Sequence, residues 1–332
     1  MTSSKHKKRA RYFIILVFMF CVALSVFVYN LLNTPLISLQ NPPMILTLDK
    51  ATSANQFVNK LKENHLIYST KLLQLIIRYQ GFSHQLKAGA YEIHPGESAM
   101  QLIKRVVAGD VIQLNFSIIE GTTQQKISQD LQKAPYLEYD PLVWETIKGN
   151  YPNAEGLLLA DTYQYGGGSN SKSLLQHAHR NLLLYLNNSW ATRSTGLPYK
   201  SPYELLIAAS IIEKESAISQ EKKLISGVIL NRLKVNMPLQ MDPTVIYGLG
   251  DQYRGKLAHS DMQVDSPYNT YRYRGLPPTP IAMVGKESID AAAHPQISKY
   301  LYFVARGDGS HQFSESYQQQ KQAIEHYRNK GY

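Results

Sequence analysis

Two carboxyl groups stand at the end of an apolar segment, and they are the first residues whose type and position could do chemistry. Glu213 and Glu215 follow residues 205–212, which are all apolar or small. If this segment is a helix, with about 100° between successive residues, Glu213 shares a face with Leu206, Ala209 and Ser210. These mostly small neighbours leave room for a ligand. Burial also favours the protonated carboxyl that a general acid requires. Alternatively, both glutamates are the solvated end of a core helix.

Three further segments could line a groove for a substrate. Glu155, Asp161 and Tyr163 lie close together on a predicted turn or strand, and Gln240 and Asp242 lie at the entrance of a short helix. The third segment, 265–281, is a loop dense in proline and tyrosine. Tyrosine faces beside amides are suited to stacking on sugar rings and bonding their hydroxyls. Equally, Asp242 could be only a helix N-cap, and the loop only a stiff cover over the core.

Several other chemistries are excluded by what the sequence lacks. The ten histidines show neither an HExxH motif nor another paired metal spacing, so we predict no metal site. There is no GxSxG motif and no nucleotide-binding glycine motif, and residues 166–168 are interpreted as the tip of a loop. The one cysteine, Cys21, lies in an apolar N-terminal run, which excludes thiol catalysis and intramolecular disulfides. Half of the net charge of +10 lies in the first eleven residues, and the remaining excess of about +5 forms no basic stripe, so nucleic-acid binding is not expected.

The carboxyls need a well-defined helix to position them, and its start is clear. Ser201-Pro202-Tyr203-Glu204 is a capping box with proline at the first helical position, which predicts a helix over 204–216. Periodicity predicts a larger helix-rich domain around it. Its other predicted elements are helices over 170–186, 222–234, 243–248, 288–294 and from Ser316 onward, and a buried strand over 300–305.

A smaller module precedes this domain. A strand-like segment, a Ser/Thr cap and an amphipathic helix follow one another three times, with caps at Ser53, Ser98 and Thr123. We interpret residues 44–115 as a small α/β module and residues 116–330 as the larger domain. Helix caps recur in any α/β protein, so the repeat indicates architecture and not activity.

The N-terminus carries the signature of a membrane anchor. A basic tail, residues 1–11, precedes an apolar run over residues 12–32, which is long enough to span a bilayer. The basic side is expected in the cytoplasm, with the rest of the chain beyond the inner membrane. The alternative is a cleaved signal peptide, whose apolar core would be shorter. Residues 33–43 contain three prolines and are predicted to be a linker.

Long segments of the chain resemble the YceG-like family of endolytic murein transglycosylases. The resemblance is carried in order by EGLLLADTYQY (155–165), ASIIEKES (209–216), LQMDPTVIYG (239–248), SPYNTYRYRGLPPTPI (266–281) and LYFVARGDGSHQF (301–313). It implies an α+β protein with an N-terminal transmembrane helix, a small LysM-like module at 44–115 and a helix-rich catalytic domain. Ala160 is a departure, because the family usually has proline there.

The resemblance also implies roles for particular residues. Glu213 matches the catalytic glutamate, while the role of Glu215, which matches the second acid, stays open. The substrate-binding residues that we predict are Glu155, Asp161, Tyr163, Gln240, Asp242, Tyr247, Asn269, Thr270, Tyr271 and Pro277.

The implied reaction cuts the bond from N-acetylmuramic acid to N-acetylglucosamine within glycan strands, leaves 1,6-anhydro ends and needs no cofactor. The expected partners are peptidoglycan strands, cell-wall synthases and division or elongation proteins, and the expected location is the periplasmic face of a bacterial inner membrane. Two alternatives remain. One is a hydrolytic glycosidase with Asp161 or Asp242 as second carboxylate, and the other is a non-catalytic glycan-binding division scaffold.

Overall fold

The described part of the chain, residues 2–328 of a computed structural model, forms two units. The first comprises residues up to 114 together with 135–137 and 165–169. The second comprises residues 115–134, 138–164 and those from 170 onward. Helices and two-stranded sheets occur in both, so the predicted mixture of helix and strand is confirmed.

The first helix, α1 (Thr2–Asn33), contains the apolar run predicted from the sequence. Its stretch Arg11–Asn30 is long and apolar enough to cross a membrane, and it is the one such stretch among the described residues. No residue of 11–30 is buried against the rest of the protein. The helix is therefore compatible with a single-pass membrane anchor.

The segment after α1, predicted to be a linker, packs on the first unit. Leu36 donates its backbone N–H to Glu97 O at 2.7 Å, and Ile37 accepts from the N–H of Gly96 at 2.9 Å. Ile37 is also buried in the core of this unit. An apolar side chain and two backbone bonds thus fix the chain immediately after the anchor.

The first unit has a two-stranded antiparallel sheet covered by short amphipathic helices. Strand β1 (Met44–Leu48) pairs with a second strand, and the register joins Met44 to Ile93. The unit's remaining elements are α2 (Ala54–Glu63), α3 (Thr70–Tyr79), β2 (Gly89–Ile93) and α4 (Ala99–Ala108). Capping boxes start α2 at Ser53 and α4 at Ser98, as the Ser/Thr pattern predicts. The core includes Phe57, Leu61, Leu73, Ile77, Tyr91 and Leu102.

The remaining elements follow in chain order. They are β3 (Gln113–Ser117), α5 (Gln124–Lys133), α6 (Val143–Lys148), β4 (Thr162–Gly166), α7 (Ser171–Ala191), α8 (Pro202–Glu215), α9 (Ser219–Lys234), α10 (Asp242–Leu249), α11 (Lys286–Ala293), β5 (Tyr302–Ala305), β6 (His311–Ser314) and α12 (Tyr317–Arg328). Strand β3 pairs with β4, and β5 pairs with β6.

Helix α8 is the centre of the second unit, and its prediction from the capping box is confirmed. Residues 205–212 are all buried, and α7, α9, α10 and α11 pack around them. The Ser201 side chain accepts from the Glu204 N–H at 3.3 Å, but the Glu204 carboxylate accepts from Lys200 N instead of closing the box. The helix is therefore fixed by burial along its length and by half of the predicted cap.

Two local predictions need refinement. Gly166 ends β4 and residues 167–168 form the turn after it, and this turn is packed, because Gly167 donates to Ile112 O at 2.8 Å and accepts from Ala90 N at 3.0 Å. A Cβ on Gly168 would lie 2.6 Å from Gly89 Cα, so only glycine permits this approach. The strand predicted over 300–305 spans only Tyr302–Ala305 and is half-buried, because it belongs to a hairpin with one solvated face.

Candidate active site

Both carboxylate oxygens of Glu213 are held by fixed hydrogen-bond donors. Oε1 accepts from Lys222 Nζ at 2.8 Å, and Oε2 accepts from the backbone N–H of Gly285, also at 2.8 Å. Only 4% of the Glu213 side chain and 3% of the Lys222 side chain are exposed. The sequence predicts a carboxyl at the end of a buried helix, and the structure adds a buried ammonium in direct contact with it.

A second carboxyl, that of Glu120, faces the same point. It lies directly against Gly285, where a Cβ would come within 1.8 Å of Glu120 Oε1. Burial raises the pKa of Glu120, and the negative charges of Glu213 and Glu287 raise it further against the opposing charge of Lys222. Glu287 Oε2 lies 3.8 Å from Lys222 Nζ. The Lys222 ammonium therefore lies beside two carboxyl groups, Glu213 and Glu287, and its charge also acts on Glu120.

Asp161 lies near the same segment. Lys286 Nζ is 3.8 Å from Asp161 Oδ2, and the neighbouring Ala160 N–H donates to Val284 O at 2.9 Å. About half of the Asp161 side chain is exposed, with a value of 48%. Residues 284–286 therefore contact both Glu213 and the segment that carries Asp161. The Asp161 carboxylate is accessible to a ligand on this side.

Glu215 lies on the other side of α8, since two residues correspond to about 200° of rotation. Its side chain is only partly exposed, and its Oε1 is sealed from solvent with no hydrogen-bond partner among the described residues. Burial raises the pKa of Glu215 to about 8, helped by the charge of Asp242 and opposed by Arg232. Glu215 is therefore held neutral near pH 7, away from the Glu213 carboxyl.

Asp242 and Tyr271 form a hydrogen-bonded pair on the Glu215 side. The Tyr271 hydroxyl donates to Asp242 Oδ1 at 2.5 Å. Asp242 is the first residue of α10, and Met241 occupies the N-cap position. The alternative that Asp242 is only an N-cap is therefore wrong, because its carboxylate accepts a hydrogen bond from Tyr271 and Met241 holds the N-cap position. Burial and the carboxylate of Asp242 raise the pKa of the Tyr271 phenol.

Gln240, Asn269 and Thr270 shape the loops that hold this pair. Gln240, at φ +50°, donates its backbone N–H to Thr270 O at 3.1 Å. Thr270 Oγ1 accepts from Met241 N at 3.0 Å, and the Asn269 amide donates to Met262 O and Val264 O. The side chains of Asn269 and Thr270 are buried, so their polar atoms are used within the protein.

Glu155 and Tyr247 line a cavity of about 550 Å3 beside the end of α8. Glu155 accepts from Gln124 N at 2.9 Å and from the Tyr247 hydroxyl at 3.3 Å. Burial raises the pKa of Glu155 to about 7 despite these donors. The other lining residues include Lys214, the immediate neighbour of Glu213, and Thr123, Pro243, Ile246, Asp251 and Ile281.

Two predicted residues lie apart from these groups. The Tyr163 hydroxyl donates to Leu159 O at 2.8 Å, and the ring is buried in the core. Pro277 lines a separate cavity with Ser201 and Tyr203 at the start of α8. Ser201 precedes Glu213 by twelve positions, or roughly 18 Å along a helix. The structure therefore does not bring either residue to Glu213.

Sequence reasoning missed Glu120, Lys222, Gly285 and Glu287. Lys222 is the one with a detectable signal, because it is a lysine on a largely buried helix, α9. Among the described residues, no group of His, Cys, Asp and Glu could hold a metal ion.

The fold and site define a mixed α/β protein with a buried carboxyl suited to proton transfer. The family model described as the YceG-like family matches residues 46–326, and the chain belongs to that family. It is 28% identical to an endolytic murein transglycosylase of Bacillus subtilis strain 168, over 85% of this chain and 84% of the relative.

Other relatives agree with this assignment. An endolytic murein transglycosylase of Streptococcus pneumoniae R6 is 26% identical over 78% of this chain, which spans only 53% of that relative. A crystal structure of a YceG-like protein from Listeria monocytogenes aligns with a TM-score of 0.53 and 27% identity. That alignment covers 85% of this chain and 99% of the Listeria chain.

Proposed function

We propose that the chain is a lytic transglycosylase of peptidoglycan and that Glu213 is its acid and base. The observation that carries the proposal is a carboxyl with both oxygens anchored, beside a cavity, in a chain whose relatives are named endolytic murein transglycosylases. Anchoring both oxygens restricts rotation of the carboxyl, which is what a proton-transfer group requires.

The reaction uses one carboxyl twice. Protonated Glu213 gives its proton to the glycosidic oxygen between N-acetylmuramic acid and N-acetylglucosamine, and the C1–O bond breaks with its electron pair left on that oxygen. The 6-hydroxyl oxygen of the muramic acid then attacks C1, and its proton passes to the Glu213 carboxylate. The product has a 1,6-anhydro end and Glu213 is protonated again. Because the nucleophile belongs to the substrate, no second reactant is recruited.

The cavity beside α8 is proposed to hold the glycan. Tyr247 offers a ring face, and Glu155, with a pKa of about 7, can donate or accept a hydrogen bond near neutral pH. Asp161 is proposed to contact the strand from the other side of residues 284–286. Asp242 and Tyr271 are proposed to form a polar wall, with Gln240, Asn269 and Thr270 holding its loops. Tyr163 and Pro277 would act only through packing.

The remaining proposals concern the cell. We propose that α1 anchors the chain in the inner membrane with its N-terminus in the cytoplasm and the rest in the periplasm. The boundaries proposed at residues 43 and 115 separate a LysM-like, glycan-binding module from the catalytic domain. A tethered site would cut strands near the membrane and limit nascent strand length, beside cell-wall synthases and division or elongation proteins.

A hydrolytic glycosidase is the second candidate, and Glu120 is the observation that favours it. Hydrolysis needs two carboxyl groups. Asp242 is bonded to Tyr271, but Glu120 faces Glu213 across Gly285 and has a raised pKa. The candidate second carboxyl is therefore Glu120 in addition to Asp161. A non-catalytic scaffold would need neither Glu213 nor a second carboxyl group.

The role of Glu213 is tested by Glu213→Gln in an assay of cleavage of purified, uncrosslinked glycan strands. We expect the rate to fall by roughly 100- to 10,000-fold, because the amide cannot donate or accept the proton. Glu145→Gln is the matched control, since that side chain is 72% exposed. Equal activity of Glu213→Gln and wild type would refute this assignment.

A further inference from the structure

The buried Glu213–Lys222 pair places a positive charge directly beside the proposed acid and base. What we infer from this pair rests on the function proposed above. The reaction begins with a protonated Glu213, yet the structure places an ammonium 2.8 Å from Oε1. With only 3% and 4% of the two side chains exposed, water screens this pair weakly. A fixed cation at this distance favours the carboxylate over the acid.

The other groups around Glu213 do not replace this cation. Gly285 contributes an N–H from the start of α11, and Glu287 contributes a carboxylate from its first turn. Glu120 faces the site from the segment before α5, and Lys214 Nζ donates to Gly121 O in that segment. Lys286 lies near Asp161. Lys222 is thus the ammonium group within hydrogen-bond distance of Glu213 among the described residues.

We propose that Lys222 is a positioning residue that orients Glu213 and places a fixed positive charge beside the carboxylate that forms when Glu213 gives up its proton. When Glu213 gives up its proton, negative charge develops on the carboxyl next to a cation that is already in place. A preorganised charge of this kind lowers the barrier to proton donation.

The test compares pH profiles of kcat/KM for cleavage of uncrosslinked glycan strands. Lys222→Met removes the charge at similar length, Lys222→Gln removes it but keeps a donor, and Lys222→Arg keeps it. Lys223→Met is the matched control, because Lys223 is the exposed neighbour on α9. Wild type and Glu213→Gln are measured alongside.

We expect the alkaline limb of Lys222→Met and Lys222→Gln to move to higher pH by about 1 unit or more, with a lower kcat at the optimum. Lys222→Arg and Lys223→Met should keep the wild-type limb. A purely structural role would lower the amount of folded enzyme and leave the limb in place. An unmoved limb in Lys222→Met and Lys222→Gln, or one moved to lower pH, would overturn the proposal.

A second measurement applies to variants whose activity is too low for a pH profile of kcat/KM. The free energy of unfolding of Lys222→Met is followed against pH, beside Lys222→Met combined with Glu213→Gln. We expect the single variant to lose stability relative to the double as pH rises, because its buried carboxyl must then ionise without a cation. Parallel curves would overturn the proposal. Full activity of Glu213→Gln would instead refute the proposed function itself, so the two failures are distinguishable.

Discussion

At the scale of single residues, the two glutamates at the end of α8 have opposite environments. Glu213 has a donor on each oxygen, whereas Glu215 Oε1 has none among the described residues. The difference arises because residues two positions apart point to opposite sides of a helix. Proximity in sequence therefore does not make Glu215 a second catalytic carboxyl for Glu213.

The buried Glu215 should make stability depend on pH. Its pKa in the folded protein, about 8, exceeds the ordinary value of 4.5, so between these values the folded state binds more protons than the unfolded state. The stabilising contribution is complete below pH 4.5 and is lost as pH rises through about 8. The loss is on the order of 5 kcal/mol.

Glu215→Gln should flatten this dependence, because the amide does not ionise. The free energy of unfolding would be measured by denaturant titration from pH 5 to pH 8 for wild type, Glu215→Gln and the exposed control Glu145→Gln. We expect the free energy of unfolding of wild type to fall relative to that of Glu215→Gln as pH rises. A constant gap would contradict a neutral, buried Glu215.

At the scale of elements, the wall around the site is built by segments without regular structure. Gly121 and Thr122 pair with Met283, and Ala160 pairs with Val284, through backbone hydrogen bonds. Gly156 lies against this wall, where a Cβ would come within 2.4 Å of Pro280 Cβ. Glu155, the residue before it, lines the cavity.

Gly156→Ala should therefore lower the free energy of unfolding by more than the strain of its left-handed backbone would, because the new Cβ would also clash with Pro280. Gly196 provides the matched comparison, because both glycines have φ +74° but a Cβ on Gly196 meets nothing within 4 Å. We expect a loss of about 1–2 kcal/mol for Gly196→Ala from the left-handed backbone. Gly156→Ala should lose a further 1–3 kcal/mol or so from the clash. Equal losses in denaturant unfolding would show that the contact with Pro280 does not constrain the wall.

At the scale of the whole molecule, the sequence predicted what depends on local patterns. Caps and apolar periodicity gave α8 and the helices of the first unit, and the length of the apolar run predicted α1. The partners of Glu213 could not be found in this way. Lys222 lies in α9, after the break that separates α9 from α8. Glu120 and Gly285 are distant from Glu213 in the sequence and meet it only in the folded protein.

The same limit explains which groove residues the structure separates. The segment over 265–281 is predicted to line a groove, but Asn269 and Thr270 use their polar atoms within the protein, while Pro277 lines a cavity near the other end of α8. Sequence order cannot tell which side chains of an extended loop point outward. Asp161, Glu155 and Tyr247 were predicted from motifs, and their atoms do lie along the cavity or the segment next to Glu213.

The mass of the products made from uncrosslinked glycan strands by wild type and Glu213→Gln distinguishes transglycosylation from hydrolysis. We expect 1,6-anhydro-muramic ends from wild type and none from Glu213→Gln, because one carboxyl serves as both acid and base. Products heavier by one water from wild type would contradict the transglycosylase assignment. They would instead assign hydrolysis, with Glu120 or Asp161 as the second carboxyl to examine.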